Sequence, residues 1–483
     1  MQLPPSAPAH TTEFDSELRI GFIWMIAFVA AMGGLLFGYD WVVIGGAKPF
    51  YEAYFHLNSA AEVGWANSCA LVGCFVGSLL AGRMSDRLGR KKVLIFSALL
   101  FAVSSILTGW SYSFAMFIAW RITGGIAIGL ASNISPMYIA EISPAAWRGR
   151  LVSLNQLALV VGILAAQIAN WKIAERVPEH ASAAMLAASW NVQYGWRWMF
   201  TAVAVPAMIF LVTTPLIPES PRWLVVRGDL AAAGRVLARI GGERYSVAEL
   251  AAVSGTLDVS SRKRDWRAYR SPNVRKLLLI GITLAVLQQW SGINILFNYA
   301  EEVYQSAGYG VNDILFNIVV TGTINLIFTM VAMLLVDRFG RRRLMLLGCI
   351  GVGASHIAAS VAYRHGLQGA WVLVLTLCAI ACYAMSLAPV TWVLITEIFP
   401  NRVRATSVSI SVAALWVSSF ALTYTFPLLN KGIGTAGTFL TYGTICFLGA
   451  GFVFFMVPET KGKSLEEIES EESVVEIDCV PTR

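Results

Sequence analysis

Charged side chains are scarce in this sequence. Only 13% of its 483 residues are Asp, Glu, Lys or Arg, and 57% are hydrophobic, whereas a soluble domain carries about 25% charged residues. The composition excludes an ordinary soluble protein and indicates one that lies in a membrane. The net charge of +7 does not indicate a nucleic-acid partner, because the basic residues lie between apolar runs and not along one face of a helix.

Histidine is also scarce, and motifs for catalysis are absent. The five histidines are scattered, and the seven cysteines share no metal-ligand spacing with them, so we expect no metal site and interpret the cysteines as small buried apolar residues. The sequence has no P-loop and no nucleophile elbow. These absences argue against an enzyme, against ATP as the energy source and against a bound cofactor. The first 19 residues lack a cleavable signal pattern, so we expect the first apolar run to remain in the mature protein.

Long apolar runs dominate the rest of the chain. A helix needs about 20 apolar residues to cross a bilayer, and runs of this kind form two sets of six. They lie at 20–46, 62–82, 93–110, 114–136, 151–172 and 196–217, and at 277–303, 312–336, 343–363, 370–396, 406–428 and 435–457. The sequence therefore predicts an all-α membrane protein with 12 transmembrane helices in two six-helix bundles, 20–217 and 277–457.

The basic residues indicate how these helices are oriented. Arginine is abundant in 218–276 and in the loops after the second and eighth runs, whereas the alternate loops have few basic residues, such as Lys48. Because basic loops stay in the cytoplasm, we expect a cytoplasmic N-terminus at 1–19, a cytoplasmic, helical linker at 218–276, and a cytoplasmic tail at 458–483. The expected location is a plasma membrane, with a bacterial inner membrane favoured.

Three motifs occur once in each half of the chain. The pairs are Asp86-Arg-Leu-Gly-Arg with Asp337-Arg-Phe-Gly-Arg, Glu141-Ile-Ser-Pro with Glu397-Ile-Phe-Pro, and Pro218-Glu219 with Pro458-Glu459. The members of each pair lie about 250 residues apart, at the same ends of corresponding runs. This order indicates a duplication, and in transporters built from repeats the substrate site lies between the halves near the membrane midplane.

The motifs resemble the sugar porter branch of the major facilitator superfamily over nearly the whole chain, in particular the bacterial xylose–proton symporters and related pentose and hexose transporters. The resemblance is carried by Gly82…Asp86-Arg87…Gly89-Arg90, Arg121-Ile-Thr-Gly-Gly, Pro218-Glu219-Ser220-Pro221-Arg222-Trp223, Gln288-Gln289…Gly292-Ile293-Asn294 and Pro458-Glu459-Thr460-Lys461-Gly462. It implies the major facilitator fold and transport of a monosaccharide.

The segment 288–299, QQWSGINILFNY, carries four side-chain amides inside an apolar run. Amides are unfavourable in hydrocarbon unless they are hydrogen-bonded, and they match sugar hydroxyls because each has a donor and an acceptor. On a straight helix the first and the last two amides share one arc, and Gln289 lies outside it. We expect Ser291-Gly292 to bend the helix and bring both groups to one cavity. Alternatively, the amides bind neighbouring helices.

The resemblance extends the sugar site to both halves of the chain. The expected substrate-binding residues are Phe37, Gln156, Gln288, Gln289, Asn294, Asn298, Asn325, Trp392 and Trp416. Three positions depart from the pattern of the xylose symporters: Leu415 replaces a glutamine, Ile163 replaces an amide, and Asn298 replaces a tyrosine. These departures leave the identity of the sugar open.

Asp40 and Arg121 are charged residues within apolar runs. At about 1.5 Å per residue they lie at similar depths and can pair, and ionisable residues in a membrane are usually functional or mutually paired. The resemblance adds that proton-coupled porters tend to have aspartate here, where passive facilitators commonly have asparagine. We expect Asp40 to accept the proton and Arg121 to modulate it; the alternative is a static ion pair.

Further charged residues lie at the predicted cytoplasmic ends of the runs. Each exposed pair contributes only about 0–1 kcal/mol, but a network between the halves can bias outward- against inward-open states. Alternatively, these residues only set the topology. The predicted gate consists of Asp86, Arg87, Arg90, Glu141, Arg148, Glu219, Arg222, Asp337, Arg338, Arg341, Glu397, Arg404 and Glu459.

The sequence thus predicts a secondary active transporter that imports a monosaccharide with protons by alternating access. We expect it to act as a monomer in the bilayer, without a cofactor or a nucleic-acid partner. A passive facilitator is the first alternative and would not depend on a proton gradient. A sugar sensor is the second; such receptors generally carry a long cytoplasmic extension, whereas the segment after Gly462 is short and acidic.

Overall fold

The computed structural model describes residues 18–178, 183–260, 269–367, 369–400 and 403–459, and within these residues all regular secondary structure is helical. The helices are α1 Ile20–Phe55, α2 Ala60–Leu88, α3 Arg90–Gly109, α4 Phe114–Ile142, α5 Arg148–Ile173, α6 Ala183–Ala187, α7 Trp196–Thr201, α8 Ala204–Thr213, α9 Pro221–Val226, α10 Leu230–Ser260, α11 Pro272–Trp290, α12 Ile293–Asn298, α13 Ala300–Ser306, α14 Val311–Phe339, α15 Arg341–Arg364, α16 Ala370–Met385, α17 Leu387–Glu397 and α18 Arg404–Met456. The expected tail lies almost entirely outside these residues, as do residues 1–17.

The membrane-spanning segments match the predicted number. Within the described ranges, eleven helical segments are long and apolar enough to cross a membrane. The last of them, in α18, is two helices, because Gly434 has φ 71° and ψ 169° and interrupts it. The prediction of an all-α protein with twelve spans is therefore confirmed.

Short polar connections separate neighbouring spans. At the start of α2 the Ser59 hydroxyl accepts a hydrogen bond from the Glu62 amide, and the Glu62 carboxylate accepts one from the Ser59 amide, which together satisfy two unpaired amides. At the other end of α2, Gly89 has φ 91° and leads directly into α3. Gly340 has φ 87° at the corresponding junction of α14 with α15, so the duplicated motif makes the same turn twice.

The two halves also repeat their packing and then join each other. In the first half α1 packs against α5 and α2 against α4, and in the second half α11 packs against α18 and α14 against α16. Between the halves, α2 contacts α18 and α5 contacts α14. These contacts are close: a Cβ atom at Gly64 of α2 would lie 2.5 Å from the carbonyl oxygen of Tyr424 in α18. Small residues allow this kind of approach between helices.

The predicted linker contains α9 and α10, and it contacts both halves at one end of the molecule, which we call the linker end. The Arg19 amide donates to the carbonyl of Ile240 in α10 at 2.8 Å. The Tyr269 hydroxyl lies 3.0 Å from the hydroxyl of Ser407 in α18. Residues 261–268 of the linker lie outside the described ranges.

One expected loop is not a loop. The first run was expected to end at residue 46, but α1 continues through Pro49 to Phe55. Lys48, which the sequence placed in a loop, therefore lies in the helix and is buried. The expectation was wrong because the stretch after residue 46 packs against protein and not against water. Tyr51 and Phe55 pack against Phe117 of the first half, and Lys48 pairs with two carboxylates of the second half.

Candidate substrate-binding site and ion pairs

A cavity of about 110 Å³ lies between the two halves. Helices α1 and α5 line it from the first half, and α11, α12, α14, α16, α17 and α18 line it from the second. Eight of the nine predicted substrate-binding residues form its wall: Phe37, Gln156, Gln288, Gln289, Asn294, Asn325, Trp392 and Trp416. The structure thus brings together residues that are far apart in the sequence.

The predicted bend at Ser291-Gly292 is present. Helix α11 ends at Trp290, Gly292 has φ 81°, and α12 starts at Ile293. Because of this break, the side-chain amide of Asn294 donates to Oε1 of Gln289, and both residues line the cavity. A straight helix would keep these two side chains apart.

Gln288 has both of the roles considered for the amides: it binds a neighbouring helix and it lines the cavity. Its Nε2 donates to the Ala388 carbonyl at 3.2 Å and to the Leu387 carbonyl at 3.4 Å. Both carbonyls lie just after Ser386, where the chain leaves helical geometry between α16 and α17. Gln288 therefore joins two broken helices while it also lines the cavity.

Two polar groups in the cavity wall have no partner among the described residues. They are the indole N–H of Trp416 and the hydroxyl of Thr329. A buried polar group without a partner is unfavourable, so a bound ligand with hydroxyl groups would supply the missing hydrogen bonds. Such a ligand would also have apolar surfaces to contact, since the ring centroids of Phe37 and Trp416 lie 5.9 Å apart and those of Trp41 and Phe297 lie 6.0 Å apart.

Asn298 is the predicted site residue that lies outside the cavity lining. It is buried, and its Oδ1 has no hydrogen-bond donor within the described part of the chain. The next residue, Tyr299, donates to the Thr423 carbonyl at 2.7 Å, so it ties its helix to α18 and does not face the cavity. A second break at Tyr299, between α12 and α13, turns this part of the segment away.

The sequence did not identify five polar or aromatic lining residues: Trp41, Phe297, Thr329, Tyr383 and Ser419. Four of them had a signal in the sequence, since Trp41 and Thr329 each follow a predicted site residue by four positions, and Phe297 and Ser419 each follow one by three. Residues at these spacings share a helix face. Ile163 and Leu415, the apolar departures from the xylose symporter pattern, also line the cavity, so these substitutions change its wall directly.

Asp40 and Arg121 form the predicted ion pair. Nη1 of Arg121 lies 3.0 Å from Oδ1 of Asp40, and both side chains are at most 5% exposed. Oδ2 of Asp40 has no hydrogen-bond donor among the described residues. The guanidinium also lies over the ring of Phe200, 5.4 Å from its centroid. The pair is thus buried, with one carboxylate oxygen free of hydrogen bonds.

The linker end of the first half contains a compact charged network. Arg90 donates from Nε and Nη2 to the two carboxylate oxygens of Glu141 at 2.9 and 2.8 Å. Glu219 accepts from the backbone amides of Arg90 and Lys91 at 2.8 and 3.2 Å, which are among the unpaired amides at the start of α3. The Ser220 hydroxyl completes the network by donating to Glu141 at 2.6 Å.

The second half repeats this arrangement. Arg341 donates from its backbone amide to Glu459 at 3.0 Å and pairs with Glu397 at 3.3 Å. Arg404 donates to the Phe399 carbonyl at 3.0 Å. The side chains of five other predicted gate residues are exposed: Asp86, Arg87, Arg148, Arg222 and Arg338. Asp337 lies in α14, but its side chain is outside the described part of the structure.

Comparison with known proteins agrees with this architecture. The family model described as "Sugar (and other) transporter" matches residues 26–471. The D-xylose-proton symporter of Escherichia coli strain K12 is 36% identical, over 94% of this chain and 97% of the relative. A glucose transport protein of Synechocystis is 37% identical, over 96% of this chain and 100% of the relative.

A solved structure shows the same fold. A partially occluded inward-open conformation of the xylose transporter XylE from E. coli superposes with a TM-score of 0.81 at 35% identity, covering 92% of this chain and 100% of that one. The family match spans nearly the whole sequence, and the relatives are transporters and not enzymes. The chain is therefore a multi-pass membrane protein that belongs to the sugar porter family of the major facilitator superfamily.

Proposed function

We propose that this protein imports a monosaccharide by proton symport through alternating access. The observation that carries the proposal is the position of the buried ion pair relative to the cavity. Asp40 lies in α1 between Phe37 and Trp41, both of which line the cavity. A change in the charge of Asp40 therefore acts on the helix that forms one wall of the sugar site.

The sugar binds in the cavity between the halves. The amides of Gln156, Gln288, Gln289, Asn294 and Asn325 offer donors and acceptors to the hydroxyl groups, and the aromatic rings contact the C–H faces. The relatives are named for xylose and for glucose, and the substrate class we propose is correspondingly a pentose or a hexose. Asn298 is buried outside the wall of the cavity, four residues after Asn294.

The proton moves through Asp40. In the outward-open state a proton from the outside adds to a carboxylate oxygen of Asp40, and the neutral acid no longer binds Arg121 as an ion pair. The loaded protein then changes to the inward-open state. There the proton leaves to the cytoplasm, and Arg121 pairs with Asp40 again, as in this structure. The structure contains this ion pair and resembles an inward-open conformation of XylE, which supports an ionised Asp40 in the inward-open state.

The proposed function also includes the orientation of the protein in the membrane. The linker end, with its arginine-rich loops, faces the cytoplasm, and the protein works as a monomer in a bacterial inner membrane. The charged networks at the linker ends of the two halves form the cytoplasmic gate, because outward opening brings these ends together. The ion pairs described above each join residues of one half, so they also keep each half rigid while the halves move.

Transport by purified protein in proteoliposomes tests the function. With an inward proton gradient, the unchanged protein should accumulate labelled xylose or glucose above equilibrium. The Asp40→Asn variant should still exchange sugar but lose the accumulation. Accumulation that persists in Asp40→Asn would show that Asp40 is not the proton acceptor and that its pair with Arg121 is static.

Two other results identify the alternatives. Equilibration without accumulation in the unchanged protein would identify a passive facilitator. Binding of sugar without any transport would identify a sensor.

A further inference from the structure

A second buried ion cluster lies at the end of the molecule opposite the linker. At its centre is Lys48 of α1, whose side chain is only 3% exposed. Its Nζ lies 3.0 Å from Glu52, one helical turn along α1. It also lies 3.3 Å from Glu301 and 2.5 Å from Glu302, which belong to α13 in the other half of the protein. A single ammonium group thus joins the two halves.

The cluster lies between the sugar cavity and the opposite end of the molecule. Lys48 follows Asp40 by eight residues, or about 12 Å along α1. Between them, α1 touches the second half directly, since a Cβ atom at Gly45 would lie 2.3 Å from the carbonyl oxygen of Phe297. Helix α13 follows α12, which carries Asn294. If α13 moves away from α1, the sugar cavity therefore opens towards the end of the molecule opposite the linker.

Burial makes these ion pairs different from the exposed charges on the surface. Water screens an exposed pair, but a charge that is removed from water must have a partner. With α13 packed against α1, Lys48 satisfies Glu301 and Glu302 in a region with little access to water. If α13 moves away, the two carboxylates reach water and Lys48 keeps Glu52, its partner on the same helix. Opening therefore breaks the two ion pairs between the halves, but it leaves no buried charge without a partner.

We propose that Lys48, Glu301 and Glu302 form an ion-pair latch that closes the extracellular entrance and must release α13 before sugar enters. The proposal rests on the function proposed above, in which the opposite end of the molecule faces the outside. Glu52 has the contrary role, since it stabilises the open state by pairing with Lys48 when α13 has left. The carboxylates on the two sides of Lys48 are thus predicted to act in opposite directions.

Distance measurements between spin labels test the latch. The labels are attached to Asn58→Cys in the first half and Lys431→Cys in the second, both at exposed positions. The background lacks the native cysteines and must still be folded and monodisperse. The unchanged latch should give mostly the short, closed distance. The double variant Glu301→Gln/Glu302→Gln should raise the ratio of open to closed populations by at least about fivefold, a typical lower limit for coupling between states.

Glu52→Gln is the matched variant, because it removes one carboxylate from the same cluster but leaves both ion pairs between the halves. It should lower the open population, or leave the closed state dominant. Equal distance distributions for the unchanged protein and Glu301→Gln/Glu302→Gln, or opening by Glu52→Gln, would overturn the latch. The measurement needs neither sugar nor a proton gradient, so a failure of transport would contradict the proposed function and not the latch.

Discussion

Nε2 of His356 lies 2.8 Å from the carbonyl oxygen of Ser291. This carbonyl lies at the end of α11, where the helix break at Gly292 removes the regular backbone partners. His356 is buried, and its ring packs against those of Phe439 and Tyr442 at 5.4 and 6.4 Å between centroids. A residue of α15 outside the cavity lining therefore stabilises the break that brings Gln289 and Asn294 together.

Replacing His356 with Phe should weaken sugar binding by about tenfold. The change keeps the aromatic packing but removes the ring donor, so the Ser291 carbonyl keeps only the weak S–H donor of Cys446 at 3.7 Å. A poorly satisfied buried carbonyl costs about 1–3 kcal/mol, where about 1.4 kcal/mol is a factor of ten in affinity. Titration of sugar into the purified variant measures the affinity. His365→Phe is the control, because His365 is exposed at the end of the same helix. Unchanged affinity in His356→Phe would mean that the break does not depend on this contact.

Leu415→Gln should change which sugars compete for the site. Leu415 lines the cavity beside Trp416, and a glutamine there adds a donor and an acceptor to an apolar stretch of wall. One additional hydrogen bond contributes about 0.5–1.5 kcal/mol, so affinity for xylose should rise by up to about tenfold relative to glucose. Competition of a labelled sugar by a panel of pentoses, hexoses and inositol measures the change. Leu415→Met controls for side-chain shape. If Leu415→Gln and Leu415→Met give the same pattern of competition, position 415 does not select the sugar.

Glu397→Gln should favour the inward-open state. The change removes the carboxylate that pairs with Arg341 at 3.3 Å, and so weakens the charged network that we assign to the cytoplasmic gate. Labelling of a cavity cysteine from the cytoplasmic side should become faster, and labelling from the outside slower. Glu243→Gln is a suitable control, since Glu243 is an exposed carboxylate of α10 and lies outside the predicted gate. The gate assignment fails if Glu397→Gln leaves both labelling rates unchanged.

Much of the site was predictable because its signals are local. The bend at Ser291-Gly292 was predictable because this flexible pair lies among amides that are unfavourable in hydrocarbon. The pairing of Asp40 with Arg121 was predictable because both are charged residues within apolar runs, at similar depths in the membrane. Asn298 was assigned to the site on helical periodicity from Gln288. That periodicity assumes one continuous helix, which the breaks at Gly292 and Tyr299 interrupt.

By itself the sequence determined the twelve spans, the duplication and the family, because apolar length, charge placement and repeated motifs do not depend on how the helices pack. The tertiary structure decided which polar residues meet. It brought Gln156 of one half to Gln288 of the other, and it buried Lys48 among carboxylates about 250 residues away. Contacts of this kind depend on the packing of the two halves, and no spacing along the chain contains that information.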